Sequence, residues 1–202
     1  MRGLSLGRFI LRVAAWLPVA FLVWYVAAPL LAWPVGLLTA AVAKFAFPSL
    51  VDGVEQQGHL LTIVSTLKPT LASTQNPASG VLSVDLNAGL YSFGFPMLAA
   101  LTLAAWQPHA LRTLLLGYVV LTPFVTWGLL AEFLKQIVFD AGPAVAAQTG
   151  FTPAQREAIA FAYQFGTLIL PTVVPAVFWV LTHRRFLEGF PGGGAGGAQR
   201  DQ

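Results

Sequence analysis

The basic residues of this chain lie at the ends of four long apolar stretches, and this distribution restricts the possible folds more than any other feature. Three arginines stand at the start of the first stretch, one lies between the second and the third, and two close the fourth. These residues are Arg2, Arg8, Arg12, Arg112, Arg184 and Arg185. Lys and Arg beside short loops are retained on the cytoplasmic side of a membrane, whereas a soluble fold has no reason to sort them in this way. We therefore predict a polytopic membrane protein.

The composition agrees with a chain that is surrounded by lipid rather than water. Only 9% of the residues are charged and 56% are hydrophobic, whereas soluble domains average about 25% charged residues. The net charge of +3 does not indicate nucleic acid as a partner, because the basic residues flank apolar segments and form no basic face. The predicted partner of most of this surface is the lipid bilayer.

The four apolar stretches predict a mainly α-helical fold, a four-helix transmembrane bundle. A helix needs roughly 20 apolar residues to cross the membrane. The predicted spans are residues 9–32, 90–106, 111–133 and 158–181. The first is longer than the roughly 7–15 apolar residues of a signal peptide, so we interpret it as an uncleaved anchor. Residues 1–190 form one predicted integral membrane domain, and the Gly-rich residues 191–202 are a predicted disordered tail.

A shorter apolar segment, residues 34–47, follows the first span. It begins at Pro34 and stops before Pro48. With about 14 residues it is too short to span the membrane comfortably, so we interpret it as an interfacial or re-entrant helix. A single broken, tilted hairpin with the preceding span is the alternative.

Residues 49–86 predict a small extramembrane β-hairpin or β-sheet element, because β-branched residues alternate there with clusters of turn residues. The predicted strands are Val51–Glu55, Leu60–Leu67 and Val81–Leu86. Gln57-Gly58 lies between the first two strands and is a candidate hairpin turn.

Two helix starts carry recognisable capping residues. Asn87 is placed to cap the second span, whose first turns contain Gly94 and Pro96 and are predicted to bend. Thr152, followed by proline and by Gln155, forms a predicted capping box at the start of the helix that leads into the fourth span.

The arginine distribution also predicts the orientation. With both termini in the cytoplasm, seven of the eleven basic residues lie inside and four lie outside, the four being Lys44, Lys68, Lys135 and Arg156. This is the arrangement that the positive-inside rule favours. The predicted location is the bacterial inner membrane, with residues 49–86 and 135–155 on the outer side.

Candidate binding residues gather on this outer side. They are Asp85, Asn87, Glu132, Asp140, Arg156, Glu157, Tyr163 and Gln164. Ionisable groups within membrane segments are often functional. The plainer interpretation is that the charged residues are solvated helix ends, that Asn87 is a simple cap, and that Tyr163 and Gln164 hold helices together.

Glu132 has two candidate partners. Lys135 lies one helical turn further along, at the i,i+3 spacing that allows pairing. Arg156 starts the next long helix at the same expected membrane level, so a Glu132–Arg156 contact is geometrically possible. Glu132, Asp140 and Arg156 would then form one outer polar cluster.

No catalytic or metal-binding pattern is present in the sequence. The chain has no cysteine, and its histidines, His59, His109 and His183, lie in three different segments. No Ser/His/Asp order, H-E-x-x-H motif or phosphate loop occurs. We therefore predict no catalytic residue, no metal site and no cofactor.

Two runs of the sequence resemble the exosortase H-associated membrane proteins. They are Leu86–Pro96 and Tyr163–Pro171, the latter followed by Pro175 and Trp179. The passage from Leu37–Ala40 to Val54–Gly58 is similar to the helix-to-strand passage of exosortase-type proteins. The resemblance covers most of residues 10–187.

This resemblance implies a role beside a bacterial sorting enzyme that processes proteins with a C-terminal tripartite signal. Enzymes of that kind use a membrane-embedded Cys with Arg and His, and this chain has no Cys. The resemblance therefore implies a non-enzymatic accessory protein that binds or positions the exosortase or its substrate proteins. The alternatives are a membrane enzyme that uses the outer Glu132, Asp140 and Arg156 cluster, and a small-molecule transporter.

Overall fold

A computed structural model describes residues 6–68 and 80–188 of the chain. One long helix is followed by a small three-stranded sheet and then by the remaining helices. The helices are α1 Leu6–Ala46, α2 Ala88–Ser92, α3 Gly94–Ala104, α4 Ala110–Lys135, α5 Pro143–Gln148, α6 Pro153–Gln164, α7 Leu170–Thr182 and α8 Arg184–Glu188. The strands are β1 Val51–Gln57, β2 Leu60–Ser65 and β3 Ser83–Asn87. Two π-helical turns, Gln136–Asp140 and Phe165–Ile169, continue α4 and join α6 to α7. The predicted tail, residues 191–202, lies outside the described residues.

The first helix is longer than the sequence pattern predicts. Helix α1 has 41 residues and passes without a break through Pro18, Pro29 and Pro34, so the predicted start of a separate helix at Pro34 is wrong. Proline has a helical φ, but inside a helix it removes one N–H donor and its ring crowds the carbonyl four residues earlier. In membranes, neighbouring helices can bond the freed carbonyls. Helix α4 supports this part of α1, because the Tyr118 hydroxyl donates to the Leu31 carbonyl, three residues before Pro34, at 2.7 Å. At 1.5 Å per residue α1 is about 60 Å long, roughly twice the thickness of the hydrocarbon layer.

Within residues 6–68 and 80–188, three continuous helical segments are long and apolar enough to cross a membrane. They are Leu6–Ala46, Ala110–Asp140 and Pro153–Thr182. The remaining predicted span corresponds to Ala88–Ala104, which is apolar but shorter. It is interrupted at Phe93, between α2 and α3, so the irregular start expected near Gly94 is confirmed. The mainly helical membrane fold is therefore confirmed, and the fourth span stays a prediction.

The predicted β element is an antiparallel sheet in the order β1-β2-β3. Gly58, with φ of 62°, occupies the turn between β1 and β2, so the hairpin is confirmed. Leu61, Ile63 and Leu86 are almost completely buried on one face of the sheet. This face packs in a hydrophobic core with the second half of α1 and the second half of α4. The sheet is thus a fixed part of the helical bundle.

A second core holds the opposite end of the bundle together. Phe9 near the start of α1 packs with Leu98, Leu121 and Trp179 from three other helices. The rings of Phe9 and Trp179 are stacked with centroids 5.4 Å apart. The two cores tie both ends of α1 to the other long helices.

Candidate functional site

The carboxylate of Glu132, near the end of α4, is the centre of the predicted outer polar cluster. Its Oε2 atom accepts a hydrogen bond of 3.0 Å from the Tyr91 hydroxyl, and its Oε1 atom accepts one of 2.7 Å from the Gln136 amide. The side chain is only 16% exposed. Two donors at short range therefore satisfy a carboxylate that is largely removed from water.

Lys135 extends this cluster. Its Nζ atom lies 4.0 Å from Oε1 of Glu132 and 2.7 Å from Oδ2 of Asp140, so the predicted Glu132–Lys135 pair is confirmed. The ammonium group also lies 5.1 Å from the ring centroid of Tyr163, a cation–π distance. Three of the predicted site residues, Glu132, Asp140 and Tyr163, therefore meet around Lys135.

The π-helical turn Gln136–Asp140 explains why Asp140 reaches Lys135. In a regular α-helix, positions five apart lie on different faces. A π turn inserts one residue into the helical turn and brings positions five apart closer together. The sequence carries no simple signal for such a turn, so the spacing of these two residues alone did not predict their pairing.

Arg156 does not join the cluster. Its guanidinium donates to the carbonyl of Phe151 at 3.3 Å and to that of Ala146 at 3.4 Å. Within residues 6–68 and 80–188, the ion pairs are the two that Lys135 makes, so the proposed Glu132–Arg156 contact is absent. Ala146 near the end of α5 and Phe151 just after it supply carbonyl acceptors that lie close to Arg156 along the chain.

The other predicted site residues are spread over the same part of the fold. Asn87 caps α2, since its Oδ1 atom accepts from the Gly89 amide at 2.8 Å. Asp85 accepts a 2.7 Å hydrogen bond from the Thr62 hydroxyl across β3 and β2. Glu157 and Gln164 are exposed on α6. For Gln164, the described part of the chain shows no side-chain hydrogen bond, so the expected bridging between helices is not formed there.

Tyr91 contacts Glu132 but is not among the site residues predicted from the sequence. It lies one turn after the Asn87 cap, on the short helix α2. Its ring packs directly on Gly128 of α4, where a Cβ atom would have no room. The available signal was the Asn87 cap, which fixes the direction of α2, but only the packing shows that α2 points Tyr91 at Glu132.

The cluster contains carboxylates, an ammonium group and phenols that largely bond one another. The described residues hold no group of three or more His, Cys, Asp or Glu side chains that would suit a metal ion. This arrangement joins α2, α4 with its π-helical turn, and the end of α6. It leaves Asp140 half exposed, with 51% of its side chain accessible.

A family model covers almost the whole described chain. The model for exosortase H-associated membrane proteins matches residues 4–186. The chain belongs to this family. No curated protein and no solved structure matched the sequence. In this exosortase H-associated protein, all predicted site residues and the Tyr91 contact lie within the matched range.

Proposed function

We propose that this exosortase H-associated protein is a non-enzymatic accessory protein of the bacterial inner membrane. It binds the exosortase or the proteins that the exosortase processes, and it places them at the outer membrane surface. The single observation that carries this proposal is the family match over residues 4–186. The family description associates these membrane proteins with exosortase H, and the proposal extends that association to direct binding.

The outer polar surface is the proposed contact region. It is formed by the exposed side chains of Asp140, Glu157 and Gln164. In this proposal Glu132 and Arg156 act as structural supports, because hydrogen bonds within the protein already occupy them. This division favours binding over catalysis, since a catalytic carboxylate has to reach a reacting group.

Site-specific photo-crosslinking tests the proposed contact. A photoreactive amino acid is placed at Glu157 or at Gln164, in cells that contain the exosortase encoded with this protein. The matched control position is Trp106, which is 75% exposed between α3 and α4, at the opposite end of α4. We expect adducts with the exosortase or its substrate at the two outer positions and none at Trp106.

Equal adducts at all three positions, or none at the outer ones, would contradict the proposed surface.

A separate measurement addresses catalysis. The purified protein is incubated with a synthetic sorting-signal peptide without the exosortase, and mass spectrometry follows the peptide. Cleavage by a preparation free of exosortase would overturn the accessory role.

A further inference from the structure

The first strand of the sheet has an unpaired edge. Across β2 and β3, the Ala88 amide donates to the His59 carbonyl and the Ser65 amide to the Leu82 carbonyl. The odd-numbered residues of β2 therefore bond β3, and its even-numbered residues bond β1. Since Glu55 pairs with Thr62 and Gln57 with Leu60, the amides and carbonyls of these two β1 residues point towards β2.

The backbone groups of the alternate residues, Val54 and Gln56, point away from the sheet. In an antiparallel ladder the residues of non-hydrogen-bonded pairs direct their N–H and C=O groups outwards, and Val54↔Ile63 and Gln56↔Leu61 are such pairs. Within the described residues, no backbone hydrogen bond occupies these four groups. A row of unpaired donors and acceptors at a strand edge is a template for another strand.

A groove runs beside this edge. Its volume is about 260 Å³, and it is lined by Val54 and Gln56 on β1 and by Trp33, Gly36 and Leu37 on α1. The Gln56 side chain packs directly on Gly36, where no Cβ atom has room. Alternate side chains of an added strand point to one face of the sheet, and this groove lies where they would enter.

The charges near the edge are acidic. Asp52 and Glu55 are exposed on β1. In the part of the chain that the structure describes, neither carboxylate takes part in an ion pair. A cationic side chain on an added strand would find two carboxylates that are free to pair with it.

We propose that the β1 edge binds an extended, basic peptide segment of a partner protein by strand addition. The backbone of the segment pairs with Val54 and Gln56, its apolar side chains enter the groove, and its Lys or Arg side chains face Asp52 and Glu55. Peptide addition to an exposed edge is a general mode of recognition in which backbone hydrogen bonds give affinity and pockets give specificity. The proposal does not depend on whether the partner is the exosortase.

The same observations argue against two other occupants. A lipid chain has no alternating donors and acceptors to match the strand edge. A second copy pairing through its own β1 would bring the carboxylates of both copies together, and like charges on adjacent strands are destabilising. An extended basic peptide can bond the unpaired backbone groups of the β1 edge and can also pair with its carboxylates.

The probe is a capped, fluorescein-labelled nine-residue peptide of alternating Val and Lys, and fluorescence anisotropy with the full chain in detergent measures its binding. The decisive variant is Val54→Pro. It removes the N–H of Val54 that points away from the sheet and breaks no hydrogen bond within the sheet. Edge strands tolerate proline at positions of this kind. Val54→Ala keeps the N–H and is the matched control. We expect Val54→Pro to weaken binding about tenfold or more, because one donor is lost and the ring blocks the edge, and Val54→Ala to weaken it less than about threefold.

Two further arms keep the test independent of how well the proline variant folds. A peptide methylated on alternate backbone amides, in the two possible phases, tests pairing on the unmodified protein, and one phase is expected to lose binding. The double variant Asp52→Asn, Glu55→Gln is expected to weaken binding and to reduce its salt dependence. The proposal is overturned if the Lys-containing peptide does not bind at millimolar concentration, or if both methylated peptides bind as well as the parent.

Discussion

The hydroxyl of Tyr91 donates a hydrogen bond of 3.0 Å to Oε2 of Glu132, forty-one residues further along the chain. This contact fixes the short helix α2 against α4. It also connects the sheet to the Lys135 cluster, because α2 follows β3 directly. The pair therefore links two separate features of the fold, the sheet and the π-helical turn.

Replacing Tyr91 by Phe tests this connection. The substitution removes one of the donors to a largely buried carboxylate and keeps the ring that packs on Gly128. We expect the free energy of unfolding to fall by about 1–3 kcal/mol, the usual cost of a lost hydrogen bond to a charged group. Thermal unfolding in detergent measures it, and Tyr25→Phe is the control, since Tyr25 is 74% exposed. An equal loss in both variants would remove any special role from the Tyr91–Glu132 bond.

The contact between Gly128 and Gly166 predicts a second stability effect. A Cβ atom on Gly166 would lie 3.1 Å from the Cα atom of Gly128 and 3.1 Å from the Trp127 ring. Small residues let membrane helices approach closely, so Gly166→Ala is expected to destabilise the protein by about 1–3 kcal/mol through overpacking. Gly7→Ala is the matched control, because its Cβ atom would meet nothing within 4 Å and alanine favours a helix. A Gly166→Ala protein as stable as Gly7→Ala would show that the helices separate without cost.

His183 predicts a pH dependence at the other end of the bundle. Its ring is 5% exposed and stacks on Trp179 with centroids 4.9 Å apart, and its Nδ1–H donates to the Trp179 carbonyl at 3.1 Å. Burial lowers the pKa of His183 below its ordinary value of 6.5, and the backbone hydrogen bond opposes this only in part. Because the folded state binds a proton less readily, stability is retained above pH 6.5 and decreases as the pH falls through the folded-state pKa.

Thermal unfolding in detergent from about pH 7.5 down to about pH 5 measures this effect. His183→Gln is expected to flatten the profile over that range. His109→Gln is the control, because His109 is exposed, and it is expected to keep the wild-type slope. The two variants would have the same profile if a group other than His183 caused the pH dependence.

The arginine distribution predicts the topology in cells. A phosphatase reporter that is active only outside the cytoplasm is inserted after Ser73 or fused after Gly193, two positions outside the described residues. We expect activity at the first position and none at the second, because the basic residues near both chain termini favour the cytoplasmic side. The reverse pattern would invert the membrane orientation and move the proposed contact surface into the cytoplasm.

The sequence by itself determined the features that depend on neighbouring residues. The apolar stretches predicted helices where α1, α4 and the α6–α7 segment lie, because burying about 20 apolar residues in lipid requires no distant partner. The β-branched residues of Leu60–Ser65 predicted a strand. The Thr152–Gln155 capping box is formed, since both of its hydrogen bonds connect residues within one turn.

Only the tertiary structure decided which side chains from distant parts of the sequence meet. The continuation of α1 through Pro34 depends on packing with other elements, and so does the meeting of Tyr91 with Glu132. Arg156 bonds two backbone carbonyls instead of Glu132, because acceptors close along the chain are available when the helices are assembled. The unpaired β1 edge is likewise a property of strand order, which follows from long-range packing and cannot be read from one strand. Local composition sets which elements form, whereas competition among distant partners sets how they contact one another.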